Sequence, residues 1–290
     1  MFLPVTKEEM KKLGWVQLDV ILVSGDAYID SPYDGIALIG KTLLNEGYKV
    51  GVISQPRLDT VEDISRLGEP RLFWGVSSGI VDSMVANYTA LGKKKRSDDS
   101  TPGGMNNLRP DRAVIRYTNL IREHFKDTAP IVLGGIEASL RRIAHYDFWS
   151  DKLRGSVLLD SKADILAYGM GERTIIEIAK SFENKSDITK LKGICYPAPE
   201  PPEDARIIPS FEEVKADKDK FIEMFHIFYQ NNDPLNAETL AQKHGGRWLI
   251  QNPPNFYLEQ EELDKIHELD FEYDAHPYYK RQGEIKALNT

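Results

Sequence analysis

Leu18-Asp-Val-Ile-Leu-Val23, a polar loop, residues 36–46, Gly47 and then Tyr48-Lys-Val-Gly-Val-Ile53 set the pattern from which the rest of the chain is read. The first and last runs are apolar and bounded by polar or glycine positions, as buried strands are. Between them, Leu38, Ile39, Leu43 and Leu44 recur at helical spacing, and Gly47 supplies a stop. Strand, helix and strand in that order form a βαβ unit, which closes right-handed in a parallel sheet. Upstream, Thr6 followed by Glu9 predicts a capping box, and Gly14 the end of a short lead-in helix.

Downstream the pattern repeats. Residues 71–76 read as a third strand, 80–90 as a helix, 131–133 as strand four, and 163–168 as strand five before a helix over 174–182. Near-continuous apolar strands alternating with amphipathic helices predict an α/β fold with a doubly wound, flavodoxin-like five-stranded parallel sheet, which binds ligands at the strands' carboxyl ends. After Gly193 the texture changes: nine of the sixteen prolines lie from Pro197 onward and strand patterns become sparse. The reading is an α/β domain over residues 1–193 and a proline-rich extension over 194–290, with helices expected over 220–229 and 259–269. The extension has too few apolar residues for a large core of its own, so it is expected to wrap the α/β domain or dock on a partner.

Apolar residues make up 41% and charged residues 28% of the 290, which excludes collagen, coiled coil and disordered tail. With 37 Lys and Arg against 45 Asp and Glu, the formal charge of −8 gives no global footprint for nucleic acid. No apolar run is long enough to span a membrane or to serve as a signal peptide, so a cytoplasmic location without membrane contact is expected. The single cysteine, Cys195, excludes an internal disulfide and a cysteine-ligated iron–sulfur cluster held by this chain alone.

Four segments could carry chemistry. Gly134-Gly-Ile-Glu-Ala-Ser-Leu-Arg-Arg142 follows strand four; two glycines allow close approach to the backbone, and a helix start attracts anions. Gly134, Gly135, Glu137, Ser139, Arg141 and Arg142 are ligand-binding candidates, against a plainer reading in which the arginines pair with Asp147 or Asp151. Gly169, Gly171 and Glu172, directly after strand five, are candidates on the same ground, although Thr174 replaces the third glycine of a dinucleotide fingerprint. Asp26 after strand one, Ser77 and Ser78 after strand three, and His145 complete the set at the strand ends. No catalytic role and no metal ligands are assigned among them, since no metal-ligand spacing occurs among the six histidines. The fourth segment, Lys93-Lys-Lys-Arg96 with the loop to Arg109-Pro110, reads either as a solvated surface loop or as a contact for an anionic partner such as a nucleotide or RNA.

Phe2-Leu-Pro-Val-Thr-Lys-Glu-Glu-Met10, Ser24-Gly-Asp-Ala-Tyr28, Arg96-Ser-Asp-Asp99 with Thr101-Pro-Gly-Gly104, Gly134 to Arg142 and Tyr168-Gly-Met-Gly-Glu-Arg173 together resemble the N-terminal region of the YgiQ family of radical S-adenosylmethionine proteins. The match continues through Gln251-Asn-Pro-Pro254 and His276-Pro277. In that family a radical domain with a C-x3-C-x2-C motif follows and holds a [4Fe–4S] cluster that binds S-adenosylmethionine. The resemblance therefore implies a fragment or split product, predicted inactive by itself, whose partner is the downstream radical domain and whose substrate is unknown. The strand pattern also looks like the cobalamin-binding-type domain that precedes many such barrels. Its D-x-H-x-x-G signature is Asp30-Ser-Pro-Tyr-Asp-Gly35 here, without the histidine, which disfavours histidine-ligated cobalamin and leaves open a corrinoid held without protein ligation. Three readings result: the N-terminal part of an iron–sulfur enzyme that supplies the substrate side of a barrel, a non-catalytic binding module for a corrinoid, nucleotide or RNA, or a pure interaction domain whose proline-rich tail docks on a partner.

Overall fold

The computed structural model describes residues 1–289. In chain order the elements are α1 (Lys7–Lys12), β1 (Val20–Ser24), β2 (Ile29–Asp30), α2 (Gly35–Asn45), β3 (Val50–Ser54), α3 (Glu62–Ser65), β4 (Phe73–Val76), α4 (Ser83–Asn87), α5 (Ala113–His124), β5 (Ile131–Leu133), α6 (Gly135–Leu140), β6 (His145–Asp147), β7 (Lys152–Arg154), α7 (Val157–Ser161), β8 (Ile165–Ala167) and α8 (Glu172–Asn184). Beyond Gly193 come β9 (Ile194–Ala198), β10 (Arg206–Ile208), α9 (Phe211–Ala216), α10 (Lys218–Gln230), β11 (Leu240–His244), β12 (Arg247–Gln251), α11 (Gln260–His267), β13 (Asp274–Ala275) and α12 (Pro277–Lys280).

The five expected strands are β1, β3, β4, β5 and β8, all parallel, in the spatial order β3-β1-β4-β5-β8. Renumbered among themselves this is 2-1-3-4-5, the flavodoxin-like order, and its switch point lies between β1 and β4. Register is fixed by alternation: Ile21 and Val23 face one core layer with Trp74, Tyr117 and Leu133, while Val20 and Leu22 face the other with Val132, Ile175 and Ile178. α5 and α7 cover the first face; α2 and α8 cover the second. The capping box at Thr6 and Glu9 and the left-handed Gly14 are where the sequence places them.

Several readings need correction. Among the described residues the sheet has nine strands, because β9 pairs antiparallel with β8, β12 with β9 and β11 with β12, and β10 pairs in parallel with β11. The region after Gly193 is thus not poor in strands; its strands are short, and β11 and β12 end in polar residues that hide the alternation. Residues 80–90 form only α4, since Asp82 caps the helix by accepting from the Met84 and Val85 N–H groups and Tyr88 turns extended. The helix α5, which the sequence reading passed over, starts at the left-handed Arg112.

The C-terminal segment also returns to the other edge of the domain. β13 pairs with β2, the Ser54 N–H at the end of β3 donates to the Tyr279 hydroxyl at 2.8 Å, and buried Lys41 meets Asp30 at 2.9 Å while donating to the Met1 and Asp270 carbonyls. The wrapping expected of the extension is what these contacts produce.

Candidate functional site

A pocket of about 370 Å³ opens at the carboxyl ends of β1, β4, β5 and β8, on the face covered by α2 and α8. The topology puts it there: crossovers leave the strand ends to opposite sides of the sheet and a crevice opens between them. Its floor is apolar, with Leu22, Val132 and Ala167 from the strands and Ile36, Ile39 and Ile175 from the flanking helices. Its mouth is backbone-rich, formed by Ser77, Gly134, Gly135, Gly169 and Gly171. Gly135 has φ of +81°, and a Cβ there would lie 2.7 Å from the Ser77 Oγ, so a side chain at this position is both strained and crowded.

Among the described residues one charged side chain lines the cavity. Glu172, the first residue of α8, is buried, and its Oε2 has no hydrogen-bond partner among the described residues. The start of α8 has no side-chain cap, because Gly171 occupies that position. The pocket therefore combines an apolar floor with uncapped helix-start N–H groups, while the Glu172 Oε2 is shut off from its open space.

Ser77, Gly134, Gly135, Gly169, Gly171 and Glu172 thus come together, and Ser139 lies behind them, its Oγ 3.4 Å from the Gly169 nitrogen. The other candidates are placed elsewhere. Glu137 is fully buried and accepts from the Ser83 N–H at 2.7 Å and the Val114 N–H at 3.3 Å, so it caps the starts of α4 and α5. Burial raises the pKa of its carboxyl, with Asp82 adding to the effect. Asp26 accepts from the Ile80 N–H at 2.6 Å and pairs with Arg109, and Ser78 donates to the Val81 carbonyl at 2.9 Å. These contacts lock the loops after β1 and β4 to one another.

Arg141 binds Asp82 at 2.6 Å, while Asp147 is taken mainly by Arg112 at 2.5 Å. Arg142 is buried between the rings of Tyr168 and Phe228, 4.4 and 4.3 Å from their centroids, and donates to Gln251, Asn232 and the Ser139 carbonyl. It joins the parallel half of the sheet to α10 and β12. His145 lies beside Arg141 and Arg154, its Nδ1 3.1 Å from the Ile143 carbonyl oxygen, and burial lowers its pKa. Lys93, Lys94, Lys95 and Arg96 are exposed on a separate surface.

Sequence reasoning missed Arg109 as the partner of Asp26, and it missed the helix residues Ile36, Ile39 and Ile175. Their apolar spacing marked them only as core.

The residues do not fit an iron–sulfur cluster. The one thiol, Cys195, is fully buried in β9 and burial pushes it up to about 12, and no three of His, Cys, Asp and Glu converge as metal ligands among the described residues. Among the described residues no histidine lines the pocket, so a corrinoid there would have no histidine ligand to its metal from this chain. No helix among the described residues is long and apolar enough to cross a membrane.

Order of strands and position of pocket define an α/β domain of the flavodoxin-like kind with a crevice at its strand ends. The family model of the radical SAM N-terminal domain matches residues 2–290, and the chain belongs to that family. It is 55% identical over 290 residues to a UPF0313 protein of Fusobacterium nucleatum, covering 100% of this chain and 51% of that protein. It is 53% identical over 293 residues to a UPF0313 protein of Thermotoga neapolitana, covering 100% of this chain and 52% of that one. The chain thus spans about half the length of the curated relatives it matches. Among solved structures, the radical S-adenosylmethionine methyltransferase TsrM from Kitasatospora setae, with tryptophan substrate and a SAM analogue bound, aligns at a TM-score of 0.41 and 18% identity over 61% of this chain and 28% of that one.

Proposed function

We propose that this chain is the N-terminal part of a radical S-adenosylmethionine enzyme and supplies the substrate-side wall of a catalytic barrel carried by the other half of the longer protein. On this reading residues 1–193 hold the ligand face, and residues 194–290, whose strands lengthen the same sheet, lead toward the barrel. The observation that carries it is the pocket's rim: Tyr33, Ile80, Ile136 and Met170 surround the mouth and are exposed, Tyr33 by 84% and Met170 by 64%. Apolar side chains grouped around a strand-end pocket make a face suited to being covered by a second domain.

The role of this chain's residues would be to bind and shield. The apolar floor excludes water from whatever enters, and the N–H groups at the start of α8 orient its polar edge. When bound in the complete protein, the iron–sulfur cluster and S-adenosylmethionine would supply the radical chemistry. The test joins this chain to the cysteine-bearing segment expected to follow it, reconstitutes the product with iron and sulfide, and measures reductive cleavage of S-adenosylmethionine. Cleavage by the joined protein and none by the 290-residue chain is expected; cleavage by this chain alone would sink the proposal.

A second reading, a binding module for a corrinoid or nucleotide, is favoured by the uncapped N–H groups at the start of α8 beside the pocket's glycine-lined mouth. Titration of the isolated chain with hydroxocobalamin, ATP and S-adenosylmethionine, with uptake of none, would reject it.

A further inference from the structure

The basic segment from Lys93 to Arg96 is not a loose loop. Its backbone folds into a hairpin: Tyr88 and Lys94 form an antiparallel bridge, the Thr89 N–H donates to the Lys93 carbonyl at 2.8 Å, and the Lys95 N–H donates to the Asn87 carbonyl at 2.8 Å. Asn106 pins the far side through the Lys95 and Arg96 carbonyls. Residues paired across such a bridge project to the same face, which sets the Lys94 side chain beside the Tyr88 ring.

That ring belongs to an aromatic cluster. Tyr88 lies 5.6 Å from Trp149, and Trp149 lies 5.4 Å from Phe148, which is 63% exposed. Phe148 and Trp149 sit in the turn between β6 and β7, and Lys152 follows in β7. Lys93, Lys94, Arg96 and Lys152 are exposed and make no ion pair among the described residues. The nearby carboxylates are largely engaged: Asp98 is held inward by Arg109 at 2.9 Å, Asp111 accepts from Tyr88 and Asn87, and Asp151 accepts from Tyr146, leaving Asp99 exposed.

We infer that the face made by the hairpin of Lys93, Lys94 and Arg96 and the ring cluster of Tyr88, Phe148 and Trp149 binds single-stranded nucleic acid. Free cations track a phosphate backbone, and partly exposed rings beside them offer a surface on which unpaired bases stack. A purely electrostatic site would not need Phe148 in water, and an apolar docking site would not be lined with unpaired lysines. The inference stands apart from the strand-end pocket and does not depend on what the pocket holds.

The experiment uses the whole chain and short fluorescent oligonucleotides of RNA and of DNA, read by anisotropy at low and at physiological salt, with polyphosphate as a base-free competitor. Binding that weakens with salt is expected, together with a loss of about fivefold or more for Phe148→Ala, near-full rescue by Phe148→Tyr, and a comparable loss for Lys93→Glu combined with Lys94→Glu. Because all three positions are exposed, unchanged thermal unfolding of the variants separates binding from folding. Absence of binding at low salt overturns the inference. So does binding insensitive to Phe148→Ala, or a face that instead captures the other half of the longer protein and takes up no oligonucleotide. Preference for RNA or for DNA then names the source of the strand.

Discussion

The Arg109 guanidinium pairs with the Asp26 carboxylate across 83 residues of sequence, both side chains almost wholly out of water. Arg109 also donates to the Gly25 carbonyl at 3.1 Å and meets Asp98 at 2.9 Å, so one side chain ties the loop after β1 to the segment from Asp98 to Arg109. Removing one partner of a buried pair leaves an uncompensated charge. Arg109→Ala should therefore cost about 3–5 kcal/mol of stability, read from the midpoint of chemical denaturation. The double variant Asp26→Asn with Arg109→Met should recover part of that loss, and strict additivity of the two single effects would count against the pairing.

Stability should also fall as pH rises through the neutral range, and Asp34 is the reason. It caps α2 by accepting from the Ile36 N–H at 3.1 Å; burial, with the charge of Asp26 nearby, pushes its carboxyl up to about 8. A folded-state pKa above the ordinary value of 3.8 means the folded chain holds the proton more tightly than the unfolded one. The contribution is complete below the ordinary value and is lost progressively until the pH passes about 8, by at most about 1.4 kcal/mol per pH unit. Asp34→Asn keeps an oxygen for the cap and removes the titration. Denaturation midpoints measured from pH 4 to 9 should slope downward for the natural sequence and flatten in the variant; identical slopes would rule Asp34 out.

Glu172 should cost the fold stability. Its buried Oε2 lacks a partner, a state that costs about 1–3 kcal/mol, while its place at the start of α8 returns about 0.3–1 kcal/mol through the helix dipole. Glu172→Met should thus make the chain about 1 kcal/mol more stable, read from the midpoint of chemical denaturation, and a loss of stability would count against the unpaired oxygen. Gly171→Leu is the companion variant: φ is −92° and a Cβ meets only Ile39, at 3.5 Å, so a side chain is tolerated by the backbone and narrows the pocket. It should leave thermal unfolding near the parent value while lowering activity of the joined protein. Full activity in that variant would remove the pocket from the reaction.

Cys195 should be silent in the folded chain. Fully buried, with its thiol pushed up to about 12, it presents almost no thiolate at neutral pH. A chromogenic disulfide reagent should report no reactive thiol until denaturant is added and then one per chain. Fast labelling of the native protein would contradict the burial.

Much of the fold was legible because it is written in local periodicity. β1, β3, β4, β5 and β8 are short apolar runs, the helices between them repeat at 3.6 residues, and the glycines after β5 and β8 are required by tight turns. β9 to β12 were not legible as part of the same sheet. Gln242 and Lys243 alternate with nothing apolar enough to mark a buried strand, and only pairing with Trp248 and Leu249 across the hairpin makes them one. At the site, the segment from Gly134 to Arg142 stands out in the sequence as one stretch, yet its residues serve different ends. A helix turns about 100° per residue, so Gly135 borders the pocket while Glu137 caps two other helices.

The sequence by itself determined the parallel sheet, the glycine turns at the strand ends and the want of thiolates for a cluster, because each depends on residue type and near-neighbour spacing. Only the tertiary structure decided which charges meet. Arg109 reaches Asp26, Arg141 reaches Asp82, Arg142 lies between Tyr168 and Phe228, and the buried Glu172 Oε2 is left without a donor among the described residues. Those pairings follow from chain closure over tens of residues and from the exclusion of water, and neither is encoded in any short window of sequence.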